Sequence, residues 1–101
     1  MPRVDLYTNG DCWFICPGCG QFHRVPTRQH PGEPGGGVAW KWNGSVELPT
    51  FSPSLLVRWA DQQGAHRCHS FVRDGRIEFL SDCTHALAGQ TVELPDWESA
   101  I

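Results

Sequence analysis

Three dipeptides, Asn9-Gly10, Asn43-Gly44 and Asp74-Gly75, constrain this chain more than any other feature. Asn-Gly and Asp-Gly readily adopt the positive φ angles that a two-residue hairpin loop requires. β-prone runs flank them: "VDLYT" and "CWFI" around the first, "VAWKW" before the second, "CHSFVR" and "RIEFL" around the third. The expected class is therefore mainly β, a small α+β domain of antiparallel hairpins. "VAWKWNGSVELPTFSPSLLVRW" reads as two or three strands, and "TVELP" as a final short one. One helix signal interrupts the pattern. In "SDCTHALAGQ", Ser81 or Asp82 can cap and Gly89 can stop a short helix near residues 82–88. The polar tail "DWESAI" is expected to fray.

Length sets the domain count. A chain of 101 residues with 40% hydrophobic content makes one domain, residues 1–101, with a small core rich in its five Trp and five Phe. Pro31, Pro34 and the glycines at 35–37 forbid regular structure and mark a Pro/Gly-rich loop over residues 29–37. No run approaches the roughly 20 apolar residues of a membrane helix. "MPRVDLYTNGDCWF" lacks the apolar stretch of a signal peptide, so a cytoplasmic setting is expected, where clustered thiols more often hold metal than form disulfides. The net charge of −3 is uneven. Residues 1–80 carry 8 Lys and Arg against 7 Asp and Glu, or +1; residues 81–101 carry four acids and no base, or −4. That is not the basic footprint of a dedicated nucleic-acid binder.

"CPGCG" at residues 16–20 is the strongest chemical motif. C-x-x-C lets two thiolates face one ion, and the glycine after it frees the backbone for the turn beneath the metal. With strand-like residues on both sides, it reads as the knuckle of a zinc-ribbon-like domain. The second ligand pair must come from Cys68, His69, Cys83 and His85. A two-residue loop at Asp74-Gly75 makes opposed residues sum to 149, which sets Cys68 and Cys83 as diagonal neighbours on one face and turns His69 to the other. The favoured zinc ligands are Cys16, Cys19, Cys68 and Cys83, with His69 and His85 as alternates for the second pair. His23 reads more simply as a neighbour of the site or a surface residue, His66 as a ligand only if the register slips, and Cys12 as a small buried strand residue.

Other chemistries fit less well. A thioredoxin-like motif needs its C-x-x-C at a helix start, and here "QFHRVP" follows. H-x-E, H-E-x-x-H and G-x-S-x-G are all absent. Trp40, Trp42 and Trp59 with nearby cations suggest a base-stacking surface, but alternate core-facing tryptophans are the simpler reading. "PTFSPS" combines three hydroxyls with two prolines, as an exposed edge or a binding loop.

"CPGCG", "WKWNGSVELPTFSPSLLV", "CHSFVRDGRIEFL" and "DCTHALAGQTVELP", taken in order, resemble a family of small phage and prophage proteins whose members are often labelled "ammonia monooxygenase". The resemblance covers nearly the whole chain. It implies a phage or prophage origin and a bacterial cytoplasm, and it brings no catalytic residues. Ammonia oxidation needs a membrane-embedded copper enzyme, whereas thiolate-rich spacing favours zinc. The leading expectation is a structural-zinc module, not an enzyme, that binds a host or phage macromolecule, protein sooner than nucleic acid. The alternative is a metal-dependent hydrolase with an open zinc position, His85 or His69 beside a bound water and Asp82 nearby.

Overall fold

In the computed structural model, residues 1–29 and 39–100 are described, with only the backbone for the last two of them. Two antiparallel sheets account for the fold. The first has the order β1 (Asp5–Leu6), β2 (Asp11–Ile15), β3 (Phe22–Pro26). The second has the order β4 (Lys41–Trp42), β5 (Phe51–Asp61), β6 (Gly64–Arg73), β7 (Arg76–Phe79), β8 (Thr91–Glu93). Sheet neighbours are also chain neighbours throughout, as hairpins with short loops require. The mainly β expectation holds.

The three Gly turns sit where the dipeptides placed them. Gly10, Gly44 and Gly75 all have positive φ, at 93°, 83° and 78°. Asp74 shares the left-handed region at 49°, so Asp74-Gly75 forms the tight loop and Arg73 faces Arg76. The β6–β7 ladder keeps the 149 register up to Ser70 and Phe79, where it ends.

The helix expected near residues 82–88 does not form; the segment after β7 is a series of turns. Cys83, Thr84 and His85 spend their side chains on β6, Cys68 and their own backbone, which a regular helix would have pointed elsewhere. The one helix described is α1 (Trp97–Ala100), in the tail expected to fray. It is held because the Trp97 amide donates to the Pro2 carbonyl (2.8 Å) and its indole packs on Phe22. Most of the 29–37 loop lies outside the described residues. Among the described residues, no helix is long and apolar enough to cross a membrane.

Both sheets contribute to one core. Phe14 and Val25 from the first meet Phe51, Val72, Ile77 and Phe79 from the second, all essentially inaccessible to solvent. Each large side chain buried this way contributes roughly 1.5–3 kcal/mol. Trp40, Trp42 and Trp59 pack against this core, as the simpler reading of their spacing anticipated.

One irregularity positions the site. Phe51 pairs with Val72 but Leu55 with Ser70, so four steps along β5 match two along β6. The two surplus residues fall in Ser52-Pro53-Ser54, where Pro53 has no amide to give the ladder. The resulting bulge ends beside Ser54, which shares a face with Leu56, the partner of His69.

Candidate functional site

The knuckle, β3 and β6 converge on a cluster of donors. Ligand atoms of Cys16, Cys19, His23 and Cys68 all lie within 4.8 Å of one another, a set fit to hold a metal ion. Cys16 Sγ is 3.8 Å from Cys68 Sγ, and Cys19 Sγ is 3.1 Å from His23 Nε2. Three thiols and an imidazole, two donors from the knuckle and one each from β3 and β6, match the ligand chemistry of a closed tetrahedral centre. Cys16, Cys68 and His23 are buried, and no disulfide joins any of the five cysteines.

The electrostatics suit a cation. Hydrogen bonds from Cys19 and Cys68 pull the Cys16 thiol far below its ordinary value. Contacts with Cys16 first and then Cys19 push Cys68 up, because thiols this close resist being charged together. Burial opposes charge on His23, yet its hydrogen bonds to Cys16 and Cys19 lift it to about 9. A bound cation would favour all the thiolates at once and leave the imidazole neutral to ligate. Cys12 stands apart: burial, then Asp11 and Asp5, push its thiol up to about 11, as befits a core residue.

The other expected ligands are placed differently from one another. Cys83 and His85 form a second group with Cys68, in which His85 Nε2 lies 3.5 Å from Cys68 Sγ. The His85 ring lies against the knuckle so closely that a Cβ on Gly18 would collide with it. Cys83 Sγ is engaged with the backbone of His69. His66 pairs with Asp61 at 2.8 Å and stacks on Trp59, outside both groups.

His69 leaves the metal side altogether. Its Nε2 is 3.2 Å from Ser54 Oγ, and its Nδ1 is 3.3 Å from Asp82 Oδ2. The carboxylate only accepts, so Nδ1 carries the ring proton and the Nε2 lone pair meets the Ser54 hydroxyl. This is a serine–histidine–carboxylate relay, with each contact slightly long, as is common before substrate is bound. Ser54 comes from the bulge, His69 from β6, where it faces Leu56, and Asp82 from the turn after β7. The Trp40 indole donates to the Ser54 carbonyl (3.3 Å), and Arg67 Nη1 holds Asp82 Oδ2 at 3.5 Å. Ser54 and His69 are half-buried, so the pair is reachable from solvent.

The sequence offers these residues in separate roles: "PTFSPS" as an exposed edge or a binding loop, His69 as an alternate ligand on the far face, and Asp82 as a cap or, in the hydrolase alternative, near His69 and a metal-bound water. Nothing in it joins Ser54 to the other two. The available signal was the register itself: Leu56 opposite His69 brings the "SPS" bulge beside the ring.

The model of one protein family, described as bacterial ubiquitination-like system serine protease (BubE), matches residues 2–80 of this chain. The chain belongs to that family. No curated protein and no solved structure matches it.

Proposed function

With the chain a member of that family, we propose that it is a serine protease of a bacterial ubiquitination-like system, with Ser54 as nucleophile, His69 as general base and Asp82 as the carboxylate that orients it. The observation that carries this reading is the pair of hydrogen bonds, 3.2 and 3.3 Å, at the two nitrogens of His69. Ser54 Oγ attacks the acyl carbon of the scissile bond while its proton passes to His69 Nε2. Asp82 stabilises the imidazolium, and the proton then goes to the leaving amine. Water repeats the sequence on the acyl-enzyme, releasing the acid and restoring Ser54. The substrate is an acyl linkage made to or carried by a ubiquitin-like protein of such a system.

Zinc is the metal this reading assigns to Cys16, Cys19, His23 and Cys68. Soft thiolates with one imidazole select it among common divalent ions. Four protein ligands leave no open position, so the ion's part is to fold and stiffen the domain, and hydrolysis falls to Ser54.

The test is cleavage of a ubiquitin-like protein fused through its C-terminus to a reporter. Cleavage by the wild type, and its loss in both Ser54→Ala and His69→Ala with folding intact, is the expected result. Undiminished cleavage by Ser54→Ala would remove the proposal.

A further inference from the structure

The β6–β7 ladder ends at Ser70 and Phe79, yet the catalytic residues lie beyond that end. Beyond that end the Leu80 amide still donates to the His69 carbonyl at 2.9 Å, while the His69 amide and the backbone groups of Arg67 need other partners. The following turn supplies them. Thr84 Oγ1 accepts the Arg67 amide at 3.0 Å, and the Thr84 amide donates to the Arg67 carbonyl at 3.0 Å. One residue earlier, Cys83 Sγ accepts the His69 amide at 3.2 Å and its thiol donates to the His69 carbonyl at 3.1 Å. The turn thus continues the ladder through both side chains and backbone, and Asp82 is the residue carried just ahead of these two rungs.

We propose that Cys83 is a positioning residue of the catalytic relay: its thiol clamps the His69 backbone and fixes the register at which Asp82 meets the imidazole. This rests on the protease reading above. It also gives Cys83 a role apart from the metal. Its sulfur is engaged by both the amide and the carbonyl of His69 and lies outside the Cys16, Cys19, His23 and Cys68 group. With two contacts to one residue and Asp82 next to it in the chain, a loss at Cys83 displaces both His69 and Asp82. Even small displacements near reacting atoms cost large factors in rate.

The experiment compares Cys83→Ala and Cys83→Ser with the wild type in three readings: zinc per chain, hydrogen exchange at the His69 amide, and kcat against KM on the reporter fusion. Cys83→Ala is expected to keep its zinc, exchange the His69 amide roughly tenfold faster, and lose roughly tenfold in kcat at unchanged KM. Cys83→Ser can still accept and donate, so it is expected to recover the protection and most of the kcat. Zinc lost in either variant would make Cys83 a ligand and overturn the proposal, as would unchanged kcat in Cys83→Ala. If Cys83→Ala does not fold, Cys83→Ser alone decides: it must retain both zinc and His69 protection. Should the wild type itself cleave nothing, the protease reading fails, while the zinc and exchange readings still decide the clamp.

Discussion

Cys68 and His69 are consecutive on β6 and send their side chains to opposite faces of the sheet: Cys68 Sγ lies 3.8 Å from Cys16 Sγ, and His69 Nε2 lies 3.2 Å from Ser54 Oγ. Asp82 and Cys83 repeat the arrangement on the turn that follows β7, with the carboxylate toward His69 and the sulfur beside Cys68. The metal-binding cluster and the relay therefore share the β6 backbone at Cys68 and His69, and the Asp82-Cys83 turn packs against both.

Stripping the metal should disturb the relay through this shared backbone. Dialysis against a chelator at neutral pH is expected to lower the melting temperature and to slow the reaction of Ser54 with a fluorophosphonate probe, with zinc restoring both. Structural zinc supplies folding free energy outright, and a core of this size has little to replace it. The check is a thermal melt paired with probe labelling before and after zinc is returned.

Much of this fold was legible because its determinants are local. Asn9-Gly10, Asn43-Gly44 and Asp74-Gly75 each fix a turn through a glycine at positive φ, with the Asn9 and Asn43 side chains accepting hydrogen bonds from nearby backbone amides, and Asp74-Gly75 also sets the register that turns Cys68 and His69 apart. The knuckle at Cys16 and Cys19 was legible for the same reason. The relay was not, since Ser54, His69 and Asp82 meet only through a bulge and a turn whose geometry depends on tertiary partners. No spacing rule links them, and their chain order follows no G-x-S-x-G pattern. The helix expected near residues 82–88 failed on the same ground. Its capping residues were real, but Cys83 and Thr84 satisfy β6 instead, and tertiary contacts outweigh the few tenths of a kcal/mol that separate local propensities.

Cobalt substitution should separate the ligands from their neighbours. Single Ser variants at Cys16, Cys19 and Cys68 are each expected to abolish stoichiometric metal and the intense thiolate-to-cobalt absorption. His23→Ala is expected to weaken binding and shift the visible bands, while His85→Ala leaves the bands in place. If His85→Ala shifts them and His23→Ala does not, the fourth ligand is His85, whose Nε2 is 3.5 Å from Cys68 Sγ.

Asp82→Asn isolates the orienting role. The amide nearly preserves size but can donate to Nδ1, which favours the tautomer that leaves no lone pair toward Ser54. In serine–histidine–aspartate enzymes this change costs roughly 10⁴ in kcat. The same loss is expected here, with zinc content unchanged and the melting temperature within a few degrees, because the Asp82 side chain is 41% exposed. Steady-state kinetics on the reporter fusion, beside a thermal melt, provide the check.

The most direct measurement is the intact mass of the zinc-loaded protein after treatment with a fluorophosphonate probe, followed by peptide mapping. A relay that activates Ser54 yields one adduct per chain on Ser54, absent in Ser54→Ala and strongly slowed in His69→Ala. An unmodified protein, or an adduct that persists in Ser54→Ala, would contradict the assignment of Ser54 as the nucleophile.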